Sequence, residues 1–154
     1  MMSGMAEQLS PIGYVQKCLR LYADGKGRAR RAEYWWWVAF VVSISIVAYL
    51  IDLGVGGMNP YTSTPNSQVI SGVAGLALLA PGIAVLSRRF HDVGLNGWLV
   101  GGVFIAYIIG AAMAAAAMPI GGLLVIITGI GVLIVAVVPG KPGSNQYGPN
   151  PKGA

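Results

Sequence analysis

The sequence predicts an all-α integral membrane protein with four transmembrane helices and a short N-terminal interfacial amphipathic helix. Of the 154 residues, 55% are hydrophobic and only 10% are charged, whereas a soluble chain carries about a quarter charged residues. Four apolar runs, almost free of charge, also approach the length of ~20 residues that crosses a hydrocarbon core. We therefore expect one membrane domain, 1–154.

The N-terminal region is predicted to contain one helix outside the membrane core. Residues 1–10 are polar and unpatterned, which predicts disorder. Ser10 and Pro11 form a helix start signal, and Ile12, Val15 and Leu19 recur at helical spacing. An amphipathic helix is thus expected over 11–24. The sequence leaves open whether its apolar face lies in the lipid headgroups or packs on the protein's own surface.

The four spans are placed at about 35–51, 69–86, 98–118 and 120–138, with an irregular tail over 139–154. Asp52 is expected to end the first span, and Pro81 is expected to kink the second. The last two spans share an uncharged stretch that would form one helix of roughly 63 Å, twice the ~30 Å core. A turn near Met118 and Pro119 is therefore required.

The basic residues predict the topology. All ten Lys and Arg residues precede the first span, separate the second from the third or follow the fourth, and none lies in the two opposite loops. Positive residues favour the cytoplasmic side of a membrane. Both termini and the polar hinge at 87–98 are therefore expected in the cytoplasm.

Two arginine-rich segments beside the membrane carry eight of the sixteen Lys, Arg, Asp, Glu and His residues. In the segment 27–37, Arg30 and Glu33 are three residues apart and are expected to share a helix face. In the hinge, Arg88 is three residues from His91 and four from Asp92, so these side chains share a face if the helix continues. Arginine forks match phosphate oxygens, which indicates an anionic headgroup as ligand.

Three segments together resemble the bacterial inner-membrane family grouped as domain of unknown function 805. The resemblance covers roughly residues 14–151 and implies four helices in a bacterial inner (plasma) membrane, but it implies no activity. Its first block is matched by Arg28, Arg31, Glu33 and Trp35, its second by Arg88, Arg89, His91, Asp92, Gly94, Gly97 and Trp98, and its third by Asn145, Tyr147, Gly148 and Pro149.

The main functional hypothesis is a non-enzymatic protein whose cytoplasmic cluster binds an anionic lipid headgroup or a protein partner. The alternative for the same residues is a structural network that pairs internally and fixes the topology. The candidate residues are Arg28, Arg30, Arg31, Glu33, Arg88, Arg89, His91, Asp92, Asn145 and Tyr147.

A second hypothesis is a transporter or channel subunit for a neutral solute. Its path would be lined by Ser43, Ser45, Tyr107 and Thr128 after homo-oligomerisation through small-residue helix faces, which allow close helix approach in lipid. In the third span this face consists of Gly102, Ala106, Gly110 and Ala114. The spans contain no charged residue, which argues against ion coupling.

Other classes are disfavoured by the residues present. An enzyme with His91 as base would need Asp92 or Glu33 to orient it, yet adjacent helical residues point apart. Cys18 and His91 are the sole Cys and His, so neither a metal site nor a cofactor is predicted. The basic residues flank apolar spans, so the expected partner is membrane lipid rather than nucleic acid.

Overall fold

A computed structural model describes residues 8–153, which form five helices joined by short connections. The helices are α1 (Pro11–Arg20), α2 (Arg31–Gly56), α3 (Val69–Asp92), α4 (Trp98–Ala115) and α5 (Pro119–Val137). In this part of the chain, β structure is limited to two isolated bridges, Met58 with Pro65 and Asn145 with Gly148. The disorder predicted for 1–10 falls mostly on residues 1–7, outside the described range.

Helices α2 to α5 are each long and apolar enough to cross a membrane. Their outward surfaces carry large apolar side chains, such as Leu76, Ile108 and Ile126, that are more than half exposed. A surface of this kind needs hydrocarbon around it, because contiguous apolar patches of this size are rare on soluble proteins. The fold is therefore that of a multi-pass helical membrane protein.

Helix α1 packs on the bundle with one side and leaves the other exposed. Ser10 caps it as predicted, because its Oγ accepts a hydrogen bond of 3.1 Å from the Gly13 N–H. The helix ends at Arg20, four residues before the expected end, and a turn follows it. Tyr14 and Cys18 are buried, whereas Ile12 is 70% exposed.

Asp52 does not end the first helix, contrary to the prediction. Helix α2 continues to Gly56, and Asp52 is buried within its last turns. Its carboxylate accepts hydrogen bonds of 2.9 and 2.8 Å from the N–H groups of Ile70 and Ser71. A carboxylate at this place satisfies unpaired donors in the first turn of α3, so Asp52 joins two spans instead of marking a loop.

Helices α4 and α5 form a tight hairpin. A Cβ on Gly121 would stand 2.6 Å from the Gly110 carbonyl oxygen, so both glycines are needed for close backbone approach. Gly110 belongs to the small-residue face predicted for oligomerisation, and it packs within its own chain instead. Gly102 of the same face meets open space.

One end of the bundle, here called the basic end, brings together α1, the start of α2, the end of α3, the start of α4 and the end of α5. The extended segment before α2 is joined to it by a backbone hydrogen bond of 3.0 Å from Ala29 N–H to the Arg88 carbonyl. Two clusters of buried apolar side chains lie against this end, one around Trp37 and Val85 and one around Phe90 and Val135. The core therefore supports the charged segments directly.

Candidate functional site

Glu33 is the first of two buried carboxylates on which the charged groups converge. It lies in the first turn of α2, is fully buried, and accepts from Arg88 Nη2 at 2.9 Å and from Lys17 Nζ at 2.5 Å. Arg88 also donates from Nη1 to the Asp24 carbonyl at 2.7 Å, while its buried Nε has no partner among the described residues. This pairing ties α1, α2 and α3 together.

Asp92 is the second carboxylate, at the last residue of α3. It accepts from Arg28 Nε at 3.0 Å and from Arg89 Nη1, and both guanidinium groups are buried. Gly140 passes so close that a Cβ there would overlap the Asp92 carboxylate oxygens. Two arginines from different segments thus share one carboxylate beneath the tail.

The same arginines hold the end of α5 and the tail. Arg89 donates from Nε to the Val135 carbonyl at 3.0 Å and from Nη2 to the Val138 carbonyl. Arg28 donates to the carbonyls of Lys141 and Gly143 at 2.6 and 2.7 Å. Carbonyls at a helix C-terminus lack intrahelical partners and carry negative partial charge, which explains why cations lie here.

His91, Asn145 and Tyr147 attach the tail to the end of α3. His91 Nδ1 lies 3.0 Å from the Gly27 carbonyl, and its ring stacks on Tyr147 with centroids 3.8 Å apart. Asn145 Nδ2 donates to the His91 carbonyl at 2.9 Å. The third block of the family resemblance therefore contacts the second block directly. Neither Asp92 nor Glu33 orients the imidazole.

The pairing differs from that expected in two respects. Arg88 faces Glu33 rather than Asp92, which pairs with Arg89 three residues earlier. Arg30 does not share a helix face with Glu33, because α2 begins at Arg31 and Arg30 is its extended N-cap residue. Helix packing therefore set the partner of Arg88, which local spacing does not contain, whereas the pair of Arg89 with Asp92 has the i, i+3 spacing of a helix.

Arg30 and Arg31 are the candidate cations that the two carboxylates do not engage. Four cations, namely Lys17, Arg28, Arg88 and Arg89, surround Glu33 and Asp92, so the paired groups already carry an excess of positive charge. Arg31 is exposed and makes one hydrogen bond, of 3.2 Å, to the Val137 carbonyl. Arg30 is half-buried, and its buried Nη1 has no partner within residues 8–153.

Cys18 lies inside the network and is shielded from solvent. Its Sγ is 3.9 Å from Arg88 Nη2. Burial, followed by the nearby Glu33 charge, raises the pKa of the thiol to about 11. The thiol therefore stays protonated at neutral pH, and a protonated thiol is a poor nucleophile.

The hydroxyls proposed to line a solute path are dispersed. Ser43 Oγ and Thr128 Oγ1 each donate at 2.8 Å to the carbonyl four residues earlier in their own helices. Tyr107 is 53% exposed on the outer surface of α4, and Ser45 lies beside a small apolar cavity between α2 and α3. The monomer gives this hypothesis no shared polar path.

Sequence reasoning missed two residues of the basic end. Lys17 is absent from the candidate set, because its partner Glu33 is too distant along the chain to be found by spacing. Ser87 begins the hinge and lies one turn before His91, so the i, i+4 rule could have placed the two side chains together.

Fold and site together define a multi-pass helical membrane protein with a buried arginine and carboxylate network at one end of its bundle. The chain belongs to the family described as "Protein of unknown function (DUF805)", whose model matches residues 22–149. The matched range contains every ion pair of the network except the one made by Lys17.

Two bacterial relatives cover nearly the whole chain. Inner membrane protein YhaH of Escherichia coli K12 is 29% identical over 144 residues, which are 92% of this chain and 98% of the relative. Inner membrane protein YhaI of the same strain is 29% identical over 134 residues, 87% of this chain and 91% of the relative. No solved structure gives a significant match. The predicted family and membrane are thus confirmed.

Proposed function

We propose that this protein is a non-enzymatic binding protein that holds anionic phospholipid headgroups at its basic end through Arg30 and Arg31. The observation that carries the proposal is the state of Arg30. Its guanidinium is half-buried and Nη1 has no partner among the described residues, whereas Arg28, Arg88 and Arg89 each contact a carboxylate.

The surroundings of Arg30 favour a phosphate group. Guanidinium donors match phosphate oxygens in pairs, and the N-terminus of α2, where Arg30 is the cap, carries positive partial charge. Trp35 and Trp36 follow within two turns and are 40% and 43% exposed. Tryptophan favours the membrane interface, so these side chains support a lipid rather than a protein ligand.

The proposal places the basic end and both termini in the cytoplasm. Its support is that all Lys and Arg residues lie at this end or in the segments joined to it, which is the side that positive residues favour. In this orientation the exposed Ile12 and Leu19 of α1 would enter the headgroup layer. Labelling of a cysteine introduced at Gln146 from outside intact cells would contradict the orientation.

Replacing Arg30 and Arg31 together with Gln should reduce copurified anionic lipid by about thirtyfold, since each of the two cations contributes about 1 kcal/mol near an anionic surface and about 1.4 kcal/mol is a factor of ten. The measurement is the ratio of phosphatidylglycerol to phosphatidylcholine retained in native mass spectrometry after exchange into mixed vesicles. Arg88 and Arg89 are unsuitable targets because they are buried and paired, so their loss would disturb the fold.

The matched control is the double variant Lys141→Gln and Lys152→Gln. It removes the same charge from two exposed tail positions and keeps the backbone carbonyl that Arg28 contacts. Equal lipid loss in both double variants would indicate a diffuse charge effect and contradict a site at Arg30 and Arg31. Unchanged retention in the R30Q/R31Q variant would do the same.

A further inference from the structure

A cleft of about 860 Å³ separates α3 from α4 and opens on the outer side of the bundle. Helix α4 packs mostly against α5 and only sparsely against α3. Four of the lining residues are small and leave much of the space unfilled; they are Ala80 and Ala84 on α3, Gly97 at the N-cap of α4 and Gly101 on α4.

Three polar side chains line one end of this cleft, those of Ser87, His91 and Asn96. A Cβ on Gly97 would stand 2.5 Å from Ser87 Oγ and 2.6 Å from His91 Nε2. Any larger residue at Gly97 would therefore displace both groups and close the polar end. Trp98 beside them is 87% exposed, as expected for a side chain at the membrane interface.

The hydrogen bond at Nδ1 determines whether His91 Nε2 is a donor or an acceptor toward the cleft. Nδ1 lies 3.0 Å from the Gly27 carbonyl, which can only accept, so Nδ1 carries the hydrogen. In a neutral imidazole the other nitrogen is then a bare acceptor. Nε2 thus presents a lone pair at the polar end, beside a Ser87 hydroxyl whose own bond to the Gly25 carbonyl is long, at 3.4 Å.

The length of the cleft matches one leaflet. From His91 to Ala80 the helix rises about 16 Å at 1.5 Å per residue, and half of a ~30 Å hydrocarbon core is about 15 Å. The remaining lining toward Ala80 and Phe104 is apolar. A molecule that fits must have a hydrocarbon chain one leaflet long and a polar group at the basic end.

We propose that this cleft binds one phospholipid of the leaflet at the basic end, with an acyl chain between α3 and α4. The headgroup donates a hydrogen bond from a hydroxyl or an ammonium group to His91 Nε2. The site involves neither Arg30 nor Arg31, so it selects for a headgroup donor and not for negative charge.

Selectivity comes from the polar end. The bilayer is as apolar as the cleft, so burying an acyl chain brings no hydrophobic gain. One net hydrogen bond corresponds to a preference of about two- to tenfold. Phosphatidylethanolamine and phosphatidylglycerol both have headgroup donors and should be retained over phosphatidylcholine, whose headgroup has none.

The test compares single substitutions in protein reconstituted at pH 8 into mixed vesicles. The vesicles contain phosphatidylcholine with either phosphatidylethanolamine or phosphatidylglycerol, and native mass spectrometry counts the lipid that each variant retains. Gly101→Phe fills the cleft, and Gly102→Phe is its control. A Cβ at either position meets open space, but only Gly101 lines the cleft. His91→Asn keeps a donor for the Gly27 carbonyl and removes the Nε2 acceptor, while Tyr147→Leu removes only the ring stack.

We expect G101F and H91N to abolish the preference for phosphatidylethanolamine, which has no net negative charge to attract Arg30 and Arg31. We expect G102F and Y147L to retain that preference. The proposal would be overturned if the unmodified protein retained phosphatidylcholine as well as it retains phosphatidylethanolamine. It would also be overturned if G101F and G102F changed the lipid preference equally. The R30Q/R31Q variant separates this site from the proposed function, because it should retain less phosphatidylglycerol than the unmodified protein while keeping its full preference for phosphatidylethanolamine. Loss of both preferences in that variant would contradict an independent cleft site.

Discussion

Replacing Asp92 with Asn is expected to destabilise the protein by about 3–5 kcal/mol, because removing one partner of a buried ion pair leaves an uncompensated charge. In this protein, two buried cations lose their counter-charge. Arg28 and Arg89 both lie against this carboxylate, and both are buried. An amide of the same shape cannot neutralise either guanidinium.

The measurement is the midpoint of thermal unfolding in detergent, with Asp24→Asn as the matched control. Asp24 is exposed, and its side chain accepts only a local hydrogen bond of 2.9 Å from the Lys26 N–H. An exposed substitution of this kind changes stability by less than about 0.5 kcal/mol. Equal midpoints for D92N and D24N would show that Asp92 does not hold the network.

Replacing Glu33 with Gln is expected to have the second largest effect, about 3 kcal/mol, through the same mechanism. Arg88 would lose its one carboxylate while remaining 2% exposed. Lys17 is less affected, because 27% of its side chain is already accessible to solvent. Contact between α1 and the bundle should loosen, which limited proteolysis near Arg20 would detect.

The double variant Glu33→Gln with Arg88→Gln tests the pairing itself. Groups in direct contact show coupling energies of about 0.5–3 kcal/mol, and removing both charges also removes the buried unpaired one. The double variant should therefore be more stable than the sum of the single losses predicts. Strict additivity would contradict direct pairing of Glu33 with Arg88.

The four apolar helices could be predicted because their signal is local. Charge-free runs of sufficient length, the required turn at Pro119 and the Ser10 cap all depend on neighbouring residues, and the structure has a helix in each expected place. Helix ends were less predictable. Asp52 belongs to α2 because its carboxylate is satisfied by α3, which no property of its own segment reveals.

The candidate site could be predicted as a set of residues but not as a pattern of contacts. The hinge and the arginine-rich segment are conspicuous in a chain with so few charges, and the structure brings Arg28, Glu33, Arg88, Arg89 and Asp92 together. Which arginine meets which carboxylate depends on packing between segments more than fifty residues apart. Local spacing placed Arg88 and Asp92 on one face and missed the pairs of Arg88 with Glu33 and of Arg28 with Asp92. The pair of Arg89 with Asp92 has the i, i+3 spacing of a helix and could have been found locally.

The sequence left open whether the cluster binds a ligand or forms an internally paired structural network, and the observed contacts bear on this choice. Five of the candidate residues are buried, and each contacts another of them. These groups are therefore engaged in fixing the ends of α2, α3 and α5, while Arg30 and Arg31 at the start of α2 contact neither carboxylate. The structural and the functional hypotheses thus apply to different members of one cluster.

The central claim is that the arginines divide into an internally paired group and an available group. Arginine-specific labelling with phenylglyoxal, followed by peptide mass mapping of the folded protein in detergent, measures this division directly. We expect Arg31 to react at a rate like that of Arg20, which is exposed on α1, and Arg28, Arg88 and Arg89 to be protected until the protein unfolds. Labelling of Arg88 or Arg89 in the folded protein as fast as Arg31 would contradict the claim.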